Sequence, residues 1–231
     1  VNGIKGVING HYLDLTDILS SPEQLDLLCH TPSAALGSCR LKLNNADEAQ
    51  LKEIVDALVA REIGYFVYIG GNDSMDTVDK LSAYIRKHDI KDLYVMGAPK
   101  TIDNDLPMTD HCPGFGSAAK YIAATFTEIV RDCEVYDIPA VTIVEIMGRN
   151  AGWLTAAAAL SRENNGSGPQ LIYLCERAFD TDRFIADVKR CLETKNAVVV
   201  AVSEGVKNPD GSYLSESKGR AVDVFGHAAL S

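Results

Sequence analysis

The sequence predicts an α/β protein: a doubly wound, mainly parallel sheet with helices on both faces, plus part of a second α/β unit. Three observations carry this. From residue 48 onward, short apolar runs rich in Val and Ile alternate with stretches of helical periodicity. The apolar runs are continuous rather than alternating, which is the pattern of parallel strands covered on both faces. Two dense polar loops also follow directly on successive strand runs, where an open α/β sheet builds its ligand crevice.

Taken in order, Leu51, Ile54, Val55, Leu58 and Val59 follow the i, i+3, i+4, i+7, i+8 spacing of an amphipathic helix. Tyr65 to Ile69 reads as a strand, and Val78, Leu81 and Ile85 mark the helix after it. Leu93 to Met96 is the next strand, followed by a long helix from about Gly116 to Arg131. Val141 to Ile146 is a strand, and Trp153 through the alanine run to Leu160 is a helix. Gln170 to Leu174, Asp182 to Leu192 and Ala197 to Val202 complete a strand, a helix and a strand. Lys207-Asn208-Pro209-Asp210-Gly211-Ser212 carries the Pro and Asp-Gly signals of a tight turn. The Asn- and Gly-rich stretch from Arg162 to Pro169 is the expected linker, dividing a first domain, 1–162, from the beginning of a second, 163–231.

Composition restricts the function classes. With 46% hydrophobic and 23% charged residues the chain can bury a substantial core. No apolar run approaches the roughly eighteen residues of a membrane span, and no signal-peptide pattern opens the chain. A net charge of -10 without a basic stripe argues against nucleic acid as a partner. The six cysteines, Cys29, Cys39, Cys112, Cys133, Cys175 and Cys191, are widely spaced and show no zinc-ligand pattern. They read as free thiols of a cytoplasmic protein.

The chemistry concentrates in two loops. Gly70-Gly71-Asn72-Asp73-Ser74 offers glycine amides and a helix start, which suit a phosphate, with Ser74 expected to cap the helix. Lys100-Thr101-Ile102-Asp103-Asn104-Asp105 offers a lysine for a phosphate oxygen and two carboxylates for a hydroxyl proton and a divalent cation. Together they point to phosphoryl transfer to a hydroxyl. Each has a plainer reading: a glycine pair also makes a tight turn, and Asx residues turn and cap readily. Arg149, placed by the pattern at a helix start, opposes the helix dipole, so an anion is expected beside it. Glu204, after a buried strand, is either a turn cap or a ligand. Ser117-Ala118-Ala119-Lys120 lacks the partner motifs of an SxxK enzyme, and Gly114-Phe115-Gly116-Ser117 lacks the ending of a P-loop. The sequons at Asn72 and Asn165 have no secretory context.

These loops resemble those of the phosphofructokinase family. Gly70 to Ser74 is similar to its Gly-Gly-Asp loop, and Thr101-Ile102-Asp103-Asn104-Asp105 matches its catalytic loop without a change. Val144 to Arg149 and Ser203-Glu204-Gly205 match its sugar-phosphate loops. The resemblance implies that Asp103 takes the proton of the 1-hydroxyl of fructose 6-phosphate, and that Asp105 and Asn72 support Mg2+. Lys100, Arg149 and Arg40 then neutralise the moving phosphoryl group. Thr101, Met147, Gly148, Arg149 and Glu204 bind fructose 6-phosphate, and Gly71, Asn72, Asp73 and Arg40 bind the phosphate donor. An Asp near its ordinary pKa of about 3.9 is ionised at neutral pH and able to accept that proton.

ATP-using relatives typically have glycines where this chain has Asp73 and Lys100. A carboxylate at 73 would meet the α-phosphate of a nucleotide, so the resemblance is to the pyrophosphate-dependent branch. An ATP-dependent enzyme and a non-catalytic regulatory subunit of the same family stand as alternatives. The family also implies a homo-oligomer, dimer or tetramer, without membrane or nucleic-acid partners. Asn72 replaces the family's usual Asp, removing one metal-directed charge, and Ala140 stands where many relatives carry an Arg. The chain opens beyond the family's first strand and Gly-rich turn and stops at Gly226 to Ser231, so both ends are expected to continue in the parent protein.

Overall fold

The computed structural model describes residues 2–31, 34–43, 48–162 and 167–215. The expected linker at 162–169 and the terminal Gly226 to Ser231 fall partly or wholly outside these. The chain packs as two units, Val1–Ala98 and Pro99–Ser231.

In the first unit, helices α1 (Gly3–Ile8), α2 (Pro22–His30) and α3 (Glu48–Val59) precede strand β1 (Tyr65–Gly70), helix α4 (Asn72–Lys87) and strand β2 (Tyr94–Pro99). α1 turns Ile4 and Val7 inward, one turn apart, with Ile8 packed beside them. α2 buries none of its residues and is held at its start by a capping box, in which Ser21 Oγ accepts from the Gln24 N–H and Gln24 Oε1 accepts from the Ser21 N–H. α3 buries Ile54, Val55 and Leu58, the face that its spacing predicts. α4 buries Leu81, Tyr84 and Ile85, with Asp73 in its first turn and Arg86 and Lys87 in its last, each complementing the helix dipole. These faces meet Ile4, Val7, Leu43 and Leu93 in one core. Burying each such side chain stabilises by about 1.5–3 kcal/mol.

β1 and β2 are hydrogen-bonded neighbours. Phe66, Tyr68 and Val95 pack on the core, while Tyr65, Val67, Ile69, Tyr94 and Met96 are exposed. The continuous apolar runs therefore do not give strands covered on both faces here: the described helices of this unit pack on one side of the sheet.

The second unit contains α5 (Phe115–Cys133), β3 (Ala140–Ile146), α6 (Trp153–Ala157) running on into a 3-10 turn (Ala158–Leu160), β4 (Leu171–Tyr173), α7 (Thr181–Leu192) and β5 (Ala197–Ser203). The sheet order is β3-β5-β4 and both pairings are parallel, with Ala140 opposite Ala197, Ile146 opposite Ser203 and Leu171 opposite Val200. Because β5 lies in the middle, Val198 to Ala201 are fully buried. The edge strand β3 alternates instead and exposes Val141, Ile143 and Glu145. The core gathers Phe126 and Val130 of α5, Ile146, Leu154, Ala158, Val199 and Ala201. α7 begins at an Asp180 cap, whose Oδ1 accepts from the Arg183 N–H at 2.9 Å. Among the described residues, no helix is long and apolar enough to cross a membrane.

Candidate active site

In the first unit, β1 ends in Gly70 and α4 starts at once. Its N-cap is Gly71, with extended backbone (φ −89, ψ −153) and no side-chain cap. This corrects the expectation for Ser74, which lies inside the first turn and gives its N–H to Gly71 O at 3.0 Å. Asn72 and Asp73 are exposed at the helix start, where backbone N–H groups lack helical partners and favour an anion. Asp73 Oδ1 lies 3.5 Å from Lys42 Nζ, and both side chains are more than two-thirds exposed. Arg40, also exposed, precedes Lys42 on the same strip. Lys42 is a neighbour that the sequence reading missed; its signal is a second basic residue two positions after Arg40.

In the second unit, the loop after β2 is built around Asn104. Its side chain is buried: Oδ1 accepts from the Cys112 N–H at 2.8 Å and Nδ2 donates to Asp110 O at 3.1 Å. The Asn104 backbone is left-handed, φ 56, a conformation that Asn tolerates better than most residues. Asp103 and Asp105 flank this anchor, half-buried, and the Oδ1 atom of each is shielded from solvent. Thr101 is buried and bridges to Gly114, and its Oγ1 accepts from the Asp103 N–H at 3.2 Å. Lys100 is exposed. A cleft of about 560 Å³ opens beside the loop, lined by Asp105, Leu106, Asp110, His111, Phe115 and Trp153.

The Met147-Gly148-Arg149 segment and Glu204 come together as the sequence expects. Glu204 Oε1 accepts from the Gly148 N–H at 3.3 Å, and Ser203 Oγ donates to Gly148 O at 3.0 Å. The Glu204 N–H continues the strand pairing by donating to Ile146 O at 2.9 Å. Glu204 is thus neither a turn cap nor idle: it fixes the arginine loop. Gly148 has φ 128, and a Cβ there would strike the carbonyl oxygen of Ala151. A Cβ at Gly205 would strike the Arg149 backbone. Arg149 does not open a helix, since α6 begins only at Trp153, after the Gly152 cap. Gly152 gives its N–H to Glu176 Oε1 at 2.7 Å. Phe115 and Trp153, which open α5 and α6, meet edge to face at 6.4 Å, so the carboxylate loop and the arginine loop run into adjoining helix starts.

The family model for phosphofructokinase matches residues 1–228. The chain belongs to the phosphofructokinase family. It is 44% identical to the pyrophosphate--fructose 6-phosphate 1-phosphotransferase of Rhodospirillum rubrum, a match covering 100% of this chain and 56% of that protein. It is 42% identical to the enzyme of the same name from Xanthomonas campestris, over 99% of this chain and 55% of that protein. A crystal structure of the pyrophosphate-dependent phosphofructokinase from Marinobacter aquaeolei superposes with a TM-score of 0.76 at 38% identity, covering 90% of this chain and 51% of that one. The phosphofructokinase fold is therefore the fold of this chain, and its sheets are parallel wherever their register is given above. The chain spans about half the length of these curated relatives.

Among the described residues, no three His, Cys, Asp or Glu side chains gather into a metal site made by protein alone. A hard divalent cation takes oxygen ligands, and a phosphate can supply several of them, so such an ion does not need a site made by protein alone. The carboxylates of Asp103 and Asp105 are donors of that kind.

Proposed function

We propose that the full-length protein moves a phosphoryl group from pyrophosphate to the 1-hydroxyl of fructose 6-phosphate, giving fructose 1,6-bisphosphate in glycolysis. The Thr101 to Asp105 loop carries this reading: two carboxylates flank an Asn104 whose side chain is locked by two hydrogen bonds. Asp103 accepts the hydroxyl proton as the oxygen attacks, and its fixed position lowers the orientational cost of that step. Lys100 and Arg149 offset negative charge on the moving group, with Arg40 on the donor side. Mg2+, held by Asp105 and Asn72 together with substrate phosphates, would neutralise donor charge. Thr101, Met147, Gly148, Arg149 and Glu204 bind the sugar phosphate, and Gly71, Asn72 and Asp73 bind the donor. Residues 1–162 form the donor-binding domain in this reading, and 163–231 are part of the sugar-phosphate domain.

The donor assignment rests on the exposed Asp73 carboxylate at the start of α4, together with relatives named for pyrophosphate. An anion at that position repels the extra phosphate of a nucleotide and occupies its space. The six free thiols support a cytoplasmic protein, and the family supports a homo-oligomer, dimer or tetramer, without nucleic-acid or membrane partners.

The test compares initial rates of the full-length protein with pyrophosphate and with ATP, before and after Asp73→Gly. Pyrophosphate is expected to be the better donor, and Asp73→Gly to weaken its use while admitting ATP. A wild-type preference for ATP refutes the donor argument. Sugar-phosphate binding without turnover on either donor points to a regulatory subunit instead. Asp103→Ser should lower kcat by roughly 10²–10⁴-fold with little change in sugar affinity; an active Asp103→Ser enzyme overturns the base assignment.

A further inference from the structure

Tyr213 lies in no motif, yet three side chains converge on it. The Arg149 guanidinium carbon stands 5.2 Å from the ring centroid and Lys207 Nζ stands 4.8 Å from it. The Tyr213 hydroxyl donates to Asn150 Oδ1 at 3.2 Å, which ties the ring to the residue next to Arg149. The backbone makes this arrangement stiff. Lys207 and Tyr213 face one another as an antiparallel bridge, closed by the Asn208 to Ser212 turn, in which the Asn208 N–H donates to Ser212 O at 2.8 Å. Lys207 also bridges to Ala178, so the hairpin is anchored on its other side.

Two cations over one ring repel each other, and the negative face of the aromatic system offsets part of that repulsion. Among the described residues, neither Arg149 nor Lys207 pairs with a carboxylate within 4.0 Å, although Asp and Glu total 32 against 22 Lys and Arg. Two cations gathered at one ring, neither paired with a described carboxylate, make a positive setting that attracts an anion. We propose that Tyr213 is a positioning residue that holds Arg149 and Lys207 as a two-cation clamp, with Lys207 a second ligand for the anionic group of the sugar phosphate. This rests on the sugar-phosphate reading of Arg149.

The experiment measures fructose 6-phosphate affinity by calorimetry, and kcat and KM with pyrophosphate, for the full-length protein and its Tyr213→Leu, Tyr213→Phe and Lys207→Met variants. Tyr213→Leu removes the ring face and should weaken fructose 6-phosphate binding roughly tenfold, with a matching rise in KM. Tyr213→Phe keeps the face, loses only the hydroxyl, and should restore affinity to within about threefold of wild type. Lys207→Met should also cost roughly tenfold, and the Tyr213→Leu/Lys207→Met pair should fall short of the product of the two, because both act on one clamp. Melting temperatures report any loss of folding separately, and the Tyr213→Phe rescue remains informative if Tyr213→Leu is unstable. A folded Tyr213→Leu protein with wild-type affinity and KM overturns the clamp while leaving the proposed activity standing. A wild-type protein that neither binds fructose 6-phosphate nor turns it over overturns the functional reading itself.

Discussion

The loop that opens α4 and the arginine loop are both short, glycine-bearing segments after a strand, yet they are held in opposite ways. Around Gly71 to Asp73 the described contacts are mostly local: Ser74 and Met75 give their N–H groups to Gly71 O, and Thr77 Oγ1 donates to Asp73 O four residues back. A tie from farther along the chain is the exposed Lys42–Asp73 pair. The arginine loop is fixed by Ser203 and Glu204, 55 and 56 residues away from Gly148, and by Tyr213, 63 residues from Asn150. A helix start forms from its own sequence, whereas a loop that must aim an arginine is clamped by a neighbouring strand end.

The strongest way to break this contrast is Gly205→Ala. The new methyl group meets the Arg149 backbone, which has no flexible end to move aside. We expect a loss of about 3 kcal/mol, and a fall in melting temperature on the order of 10 °C. Gly116→Ala is its control, since open space surrounds that position inside α5; it should raise stability by about 0.5–1 kcal/mol. Equal melting temperatures for the two variants would sink the account of a locked arginine loop.

Next in size is Glu204. Glu204→Ala leaves the buried Gly148 N–H without its acceptor and should cost about 1–3 kcal/mol, read by chemical denaturation. Glu204→Gln keeps an acceptor and should recover most of that. If both variants lose the same stability, charge rather than the hydrogen bond is what counts. At the start of α4, Lys42→Ala should shift stability by no more than about 0.5 kcal/mol, because exposed ion pairs contribute little. A larger loss would show that this loop is also clamped from a distance.

The smallest effect concerns Cys175, which precedes the Glu176 that holds Gly152. Burial, with a lesser contribution from the Glu176 carboxylate, pushes the Cys175 thiol up. A raised thiol pKa means less thiolate at a given pH, so alkylation at about pH 8 should be slower at Cys175 than at the exposed Cys29 on α2. Peptide mapping after timed labelling reads both sites, and equal rates would remove burial as the cause.

The same contrast explains what was legible in the sequence. The strands from 65, 93, 141 and 197 and the helices between them begin within a residue or so of their expected places, because Val/Ile runs and 3.6-residue stripes are local signals, while β2 runs on to Pro99, past the expected Met96. α2 carries no buried residue, so it has no stripe to read; its signal was Ser21, Pro22 and Gln24 in capping-box order. Ser74 has the residue type of a cap, but the helix starts earlier, with Gly71 at the N-cap. Arg149 reads as a helix start because nothing local announces the positive φ of Gly148 and the later start of α6 at Trp153. The carboxylates stand out in the Thr101 to Asp105 motif, while the anchoring role of Asn104 depends on Asp110 and Cys112 across the loop. Lys42 and Tyr213 lie outside every motif and meet Asp73 and Arg149, respectively, only through the fold.

The strand order β3-β5-β4 also sets a timetable. β5 is made after both of its neighbours, so β3 and the three-residue β4 wait for their shared partner. Bringing them together closes long loops, the step that slows folding of sheets with distant pairings. During synthesis, the Gly70 to Asp73 turn and α4 are able to form while β5 is still unmade. Ser203 and Glu204 arrive at the very end of β5, so the arginine loop acquires its final shape only when that sheet closes. The loop that carries Arg149 is thus fixed only after β5 has been made, later than the helix start at Gly71.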